Sequence, residues 1–147
     1  AEDRRRGYLN ALAEAGAAAK SERIVTARHH EDIEAGREAT ERLLALPDRP
    51  DGIFCHDDLV AVGAMQAVQA AGLRVPQDIA IIGYGNNYNT PWAQIPLPSV
   101  QLDTATLGRE ACRVLLEKIE KGPSAGKQQV KIRPYLVRTE LLGIVRK

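Results

Sequence analysis

The sequence contains few cysteines. Only two, Cys55 and Cys112, occur among its 147 residues; both lie in apolar runs, and no CxxC spacing is present. Disulfide frameworks and structural zinc sites need several cysteines at short, regular spacings. We therefore expect two reduced thiols in the core, as is usual in a cytoplasmic protein, and no cofactor or metal held by cysteine.

Charge of one sign is not in excess either. The 20 Lys and Arg residues are matched by 19 Asp and Glu residues, which gives a formal net charge of +1. Binding to a phosphate backbone needs concentrated positive charge. The composition therefore gives no indication of a nucleic-acid-binding surface on this chain.

Long apolar runs are missing as well. No stretch approaches the length of a membrane span, and the first residues, AEDRRRGYLN, do not resemble a signal peptide. They also lack an initiator Met, from which we expect a fragment or a processed product. The length suits one domain, which buries about two thirds of its unfolded surface.

Helical and strand patterns alternate along the chain. Helical spacing is predicted over 3–15, 32–46, 59–71 and 104–121, and strands over 23–27, 51–55, 78–83, 99–102, 130–132 and 135–139. The third strand, DIAIIG, has a continuous apolar run after its first residue, which predicts burial on both faces. Strand–helix–strand repeats predict an α/β fold with a parallel sheet and right-handed crossovers.

Polar residues collect where the first three predicted strands end, at 28–32, 56–58 and 85–87. Ligands of open parallel α/β sheets bind outside the carboxyl ends of the strands, so these segments predict a shared polar rim for a small ligand. Asp and Asn are also ordinary caps and turn residues. We expect Asp57 or Asp58 to cap the third helix, and for Asp58 we favour a cap over a ligand role. Asn86 and Asn87 suit a loop role and a ligand role equally.

The third helix, LVAVGAMQAVQAA, is apolar nearly all round. One apolar stripe is enough to cover a sheet, so the extra apolar side, including Val62 and Met65, favours burial by a second subunit. Burial between layers of the same domain is the alternative. Arg4 to Arg6 lie in the first turn of a helix against its dipole, which marks either a binding site or ordinary surface arginines.

Enzymatic and metal-binding interpretations have little support. Cys55, His56 and Asp57 are adjacent, and neighbouring residues of a strand point to opposite faces, so they do not form a catalytic triad. A metal site from His29, His30, His56 and Asp57 would match no standard ligand spacing. We expect a protein that is not an enzyme.

The motifs together resemble the LacI/GalR family of transcriptional regulators. The segment DGIFCHDDLVAVGAMQAVQAAGLRVPQDIAIIGYGN carries most of the resemblance, and RRRGYLNALAEAG, IPLPSVQLDTATLGREACRVLLEKI and PYLVRTE follow the family order. The resemblance implies a Rossmann-like lobe of a periplasmic-binding-protein-like (type I) domain, incomplete at its N-terminus. Residues 1–147 would then form the second lobe with the C-terminal crossover, without the helix-turn-helix DNA-binding domain.

The family also implies that a central strand is missing. The family places that strand just before Ala1, between the predicted strands 24–27 and 53–55. Two unpaired ladders would result, so we expect this chain to be poorly stable by itself.

The resemblance further implies effector-binding residues. Arg4 corresponds to a family arginine near the cleft, and Asp57 takes the position of an effector-binding Asn. His30 or Glu31 falls close to the sequence position at which the family often has an aromatic residue that stacks on the ligand. Gly85 replaces a family Asp that binds ligand hydroxyls, so either Asn86 or Asn87 takes over that role or the ligand is not a standard sugar.

The function that the resemblance implies is sensing of a small polar effector, such as a sugar, with allosteric coupling to operator DNA in an intact repressor. The partners would be that effector, a second copy of the chain, and DNA through the missing domain, with no membrane. A sugar-binding protein of a transport system, with the same fold, is the alternative. A helix-turn-helix encoded upstream of Ala1 would distinguish the two.

Overall fold

The computed structural model describes residues 2–26, 32–86, 97–122 and 126–138. In chain order the elements are α1 (Glu2–Glu14), a 3₁₀ turn (Ser21–Arg23), α2 (Ile33–Leu44), β1 (Gly52–Phe54), α3 (Asp58–Ala70), β2 (Ala80–Gly85), β3 (Ser99–Gln101), α4 (Thr104–Lys121) and β4 (Tyr135–Val137). All four predicted helices are present, with ends that differ by one or two residues.

The sheet has the order β1-β2-β3-β4. β1 and β3 both pair with β2 in parallel, and β4 pairs with β3 antiparallel. The predicted parallel α/β sheet is therefore confirmed, with one antiparallel strand at its end. The register places Gly83 opposite Ser99 and Gly85 opposite Gln101, which brings the end of β2 beside β3.

Two predicted strands are wrong. Residues 23–26 form the end of a 3₁₀ turn and an extended segment that pairs with no described strand, and 130–132 has no strand structure. A strand is defined by its ladder of hydrogen bonds, so a short β-branched run without a neighbour stays irregular. The prediction that β2 is buried on both faces is also wrong, because Ala80 and Ile82 are only half-buried and alternate with buried Ile81 and Gly83.

The core lies between the sheet and α3. Ile53 and Cys55 from β1 and its end, together with Ile81 of β2, pack with Ala61 and Val68 of α3. α2 covers the other side of α3 at very short range, since a Cβ added at Gly63 would lie 1.9 Å from the carbonyl oxygen of Ile33. Glycine is required at that contact because backbone atoms occupy the place of a side chain.

The GLRVPQD segment forms a tight connection between α3 and β2. The Arg74 guanidinium donates to both carboxylate oxygens of Asp78, at 2.8 and 2.9 Å, and the Arg74 backbone N–H donates to the same carboxylate. These bonds lower the pKa of Asp78 to about 2. The segment therefore fixes the entry into β2 and stands apart from the polar strand ends.

Candidate functional site

Asp57 is the N-cap of α3. Its backbone is extended, and its carboxylate accepts a hydrogen bond from the Leu59 N–H at 2.8 Å. A cap of this kind stabilises a helix by about 1 kcal/mol. Of the two expected cap residues, Asp57 and Asp58, Asp57 is therefore the cap. The cap role that we favoured for Asp58 is wrong, since Asp58 is the first helical residue and its side chain accepts from Ser99 instead.

The Asp58 carboxylate reaches across the sheet to β3. The Ser99 hydroxyl donates to Asp58 Oδ1 at 2.6 Å, and Ser99 Oγ accepts a hydrogen bond from the Asn86 N–H at 3.1 Å. These two bonds join the start of α3, the end of β2 and β3 in one chain of contacts. We call Asp58, Ser99 and Asn86 the strand-end chain.

Asn86 is held at a second point. Its Nδ2 donates to Gln101 Oε1 at 2.6 Å, and its backbone has a φ of 53°. Our sequence reasoning missed Ser99 and Gln101. The sequence does indicate that Ser99 and Gln101 share a face, because residues two apart on a strand point the same way. The register that pairs them with residues 83 and 85 of β2, however, cannot be predicted from local sequence.

Arg4 brings α1 to the same place. Its Nη1 donates to the His56 carbonyl oxygen at 2.9 Å, and its guanidinium carbon lies 3.8 Å from the centre of the Tyr84 ring. A cation over an aromatic ring is attracted by the negative face of that ring. Arg4 therefore contacts the ends of two strands. It reaches the end of β1 through the His56 carbonyl and the end of β2 through the Tyr84 ring.

Gly85 has no side chain to offer a ligand, and its backbone explains why. Its φ of 121° lies in a region that residues with a Cβ rarely adopt. The Asp that the family resemblance implies at this position would be strained in this conformation. The departure from the family pattern is therefore built into the backbone at the end of β2.

The structure brings together most of the predicted site. The segments at 56–58 and 85–86 meet through the strand-end chain, and Arg4 joins them. His30, Glu31 and Asn87 lie outside the described residues, so the contribution of the segment 28–32 stays a prediction. The contact of each of these residues with an effector is also a prediction.

Val62 and Met65 are buried within the chain. Their exposed fractions are 4% and 7%. The expectation that their burial needs a second subunit is wrong, because α3 lies between the sheet and α2, which was the alternative explanation of its apolar sides. Dimerisation through other residues stays a prediction.

Nucleophilic and metal chemistry find no support at these strand ends. Burial, together with the nearby charges of Asp58 and Asp57, raises the pKa of the Cys55 thiol to about 12. No group of His, Cys, Asp or Glu suited to a metal ion occurs within residues 2–26, 32–86, 97–122 and 126–138. Across the same ranges, no helix combines the length and the hydropathy that crossing a bilayer requires.

Comparison with known proteins identifies the family. Residues 1–139 match the model of a periplasmic binding protein-like domain, so the chain belongs to that family. Its relatives within the family are LacI-type repressors. The HTH-type transcriptional repressor PurR of Mannheimia succiniciproducens is 38% identical over 137 residues, 93% of this chain and 40% of the relative. The ribose operon repressor of Haemophilus influenzae is 38% identical over 140 residues, 95% of this chain and 41% of the relative.

Solved structures of LacI-type regulators share the fold. A regulatory protein of the LacI family from Chloroflexus aggregans matches with a TM-score of 0.82 at 32% identity, over 97% of this chain and 50% of that one. A LacI family regulator from Arthrobacter in complex with lactose matches with a TM-score of 0.75 at 30% identity, over 91% of this chain and 48% of that one. The transcriptional regulator CelR in complex with cellobiose matches with a TM-score of 0.76 at 29% identity, over 95% of this chain and 42% of that one.

The chain spans about two fifths of the length of the curated relatives it matches. The described strand ends therefore form part of a binding domain of LacI type.

Proposed function

We propose that the chain is the ligand-sensing part of a LacI-type transcriptional repressor. A small polar effector, such as a sugar, binds at the ends of β1 and β2 and changes the affinity of the intact protein for operator DNA. The observation that carries this proposal is the meeting of Arg4, the 56–58 segment and Asn86 at one place, joined by hydrogen bonds between separate elements.

The chemistry at these strand ends suits a hydroxylated ligand. Carboxylates of Asp57 and Asp58 accept hydrogen bonds, and the Arg4 guanidinium donates them. The complexes of related regulators with lactose and with cellobiose support a sugar as effector. We include His30, Glu31 and the Gly85 backbone in the proposed site on the strength of the family resemblance.

Regulation needs the intact protein. An effector alters DNA binding only if it binds one conformation of the protein more tightly than the other. The net charge of this chain, +1, gives it no electrostatic footprint for DNA, so we assign DNA contact to a domain outside residues 1–147. We further propose that the protein acts as a cytoplasmic homodimer and has no enzymatic activity.

The experiment is a thermal-shift screen of the full-length product of the gene that encodes this chain. The panel contains D-ribose, lactose, cellobiose, adenine and guanine, and the affinity of each compound that shifts the melting temperature is then measured by calorimetry. At least one compound is expected to bind, and Arg4→Met is expected to weaken it about tenfold or more, because a charged hydrogen-bond donor is lost.

Arg5→Met is the matched control. Arg5 is the next residue of α1, and its side chain is exposed beside Glu2. The control should bind like the unaltered protein. No binding of any compound in the panel, or equal effects of the two substitutions, would contradict the proposed site.

A further inference from the structure

The Ser99 hydroxyl carries one hydrogen, and the direction of that hydrogen decides what its oxygen can accept. Asp58 Oδ1 takes the hydrogen at 2.6 Å, which turns the oxygen lone pairs toward the Asn86 N–H at 3.1 Å. Each bond polarises the next, since the hydroxyl donates to a carboxylate while it accepts from an amide. Asp58 therefore orients Ser99, and Ser99 in turn holds the Asn86 backbone.

Gly83 makes this arrangement possible. A Cβ added at Gly83 would lie 2.3 Å from Asp58 Oδ1 and 3.1 Å from Leu97 Cδ2. The carboxylate thus occupies the space that a side chain on β2 would fill. The same glycine is opposite Ser99 in the register, so the carboxylate crosses the sheet directly over the pair.

Asn86 needs such support. Its φ of 53° lies in the left-handed region, which Asn visits more readily than most residues but still at an energetic cost. Its backbone is fixed by Ser99, and its side-chain amide is fixed by Gln101. Ser99 and Gln101, which are two positions apart on the same face of β3, thus determine where Asn86 lies.

We propose that Asp58, Ser99 and Gln101 are positioning residues of the effector site, which set the backbone and amide orientation of Asn86. The proposal rests on the proposed function in taking Asn86 as an effector contact. Ser99 is 1% exposed, so it acts through Asn86 and not through direct contact with a ligand. β3 thereby takes part in ligand recognition although it follows the rim residues by more than ten positions in the sequence.

The test compares Ser99→Ala, which removes the hydroxyl, with Ser99→Thr, which keeps it, in the full-length gene product. Hydrogen–deuterium exchange is read at single-residue resolution by electron-transfer fragmentation. In Ser99→Ala, exchange of the Asn86 amide is expected to rise about tenfold. The Cys55 amide, which donates to the Ile82 carbonyl at 2.8 Å within the sheet, should keep its exchange rate.

Ser21→Ala is the matched control, because Ser21 is exposed and distant in sequence from β2 and β3. Because the methyl group of Ser99→Thr can disturb packing, a second pair of variants tests the same hydrogen bond from the other side. Asp58→Ala removes the acceptor of the Ser99 hydroxyl, and Asp58→Asn keeps an acceptor oxygen. The alanine variant should release the Asn86 amide, whereas the asparagine variant should release it much less. Gln101→Leu should leave the Asn86 backbone amide protected.

The affinity for lactose and for D-ribose is measured in parallel. A sugar that binds the unaltered protein should bind Ser99→Ala about tenfold more weakly, with Ser21→Ala and Ser99→Thr unaffected. If neither sugar binds, the exchange measurement alone decides the positioning role. Unchanged Asn86 exchange in Ser99→Ala, or an equal rise at Cys55 from general loosening, would overturn the proposal.

Discussion

At the scale of single residues, Cys55 shows how closely a side chain can approach the polar rim without taking part in it. It lies beside His56 and Asp57 in the sequence, yet its thiol is buried under α3. Its pKa, raised to about 12 by burial, leaves essentially no thiolate at neutral pH. Since thiolates are the reactive form, Cys55 is an inert core residue.

The expectation of two core thiols is correct for Cys55 and wrong for Cys112, which is exposed. This difference predicts unequal alkylation of the two cysteines. In the full-length gene product at pH 8, iodoacetamide should label exposed Cys112 rapidly and Cys55 at least about a hundredfold more slowly, because the thiol is both buried and protonated. Peptide mass spectrometry gives both rates, and labelling after denaturation in guanidinium is the control. Comparable rates in the native protein would show that Cys55 is accessible.

Single residues also show what the sequence could and could not predict of the site. The polar segments at the ends of β1 and β2 were predictable, because the strand order of an α/β fold fixes where the strands end. The roles of Asp57 and Asp58 were not, since both are good cap residues. Ser99 is 41 positions from Asp58, and only the folded register brings the two together.

At the scale of elements, α2 and α3 approach each other closely at two glycines. A Cβ at Gly36 would lie 2.1 Å from the Val60 carbonyl oxygen, and one at Gly63 would lie 1.9 Å from that of Ile33. Two glycines facing each other's helix allow the backbones to touch. This contact explains why α3 has apolar residues on more than one side.

Gly63→Ala should therefore destabilise the protein, by about 3 kcal/mol or more, because backbone atoms and not a flexible side chain must move. Urea denaturation of the full-length gene product measures the loss. Gly108→Ala is the matched control, since no atom lies within 4 Å of the added Cβ in α4. That control should gain roughly 0.5–1 kcal/mol from helix propensity. A Gly63→Ala midpoint equal to that of the control would show that α2 and α3 are not packed this way.

Helices were predicted better than strands for a physical reason. A helix of three turns or more shows its hydrophobic periodicity within its own sequence, as α2 and α4 do. The segments 23–26 and 130–132 have strand-like composition but pair with no strand in the described part of the sheet. Pairing is a property of two segments, so composition alone could not decide it.

At the scale of the whole molecule, burial is uneven. The buried hydrophobic core lies within residues 35–81, whereas neither α1 nor α4 contains a buried residue. The apolar side of α4 is largely exposed, with Ile119 at 69% and Leu115 at 59%. A helix of this composition gains most of its stability from packing its apolar face, which the described part of this chain leaves largely uncovered.

The chain by itself should therefore unfold without a sharp transition. Circular dichroism at 222 nm is expected to show a broad, shallow thermal melt for residues 1–147, because much of the apolar surface of α4 gains nothing from folding. The full-length gene product is the comparison and should melt cooperatively. A sharp, cooperative melt of the short chain would refute this expectation.

The most direct measurement is a crystal structure of the full-length gene product grown with whichever compound of the screening panel raises its melting temperature most. The ligand is predicted to lie where the ends of β1 and β2 meet, within hydrogen-bonding distance of Arg4 and of at least one of Asp57 and Asn86. A ligand bound at another surface, with Arg4, Asp57 and Asn86 all outside hydrogen-bonding distance of it, would contradict the account.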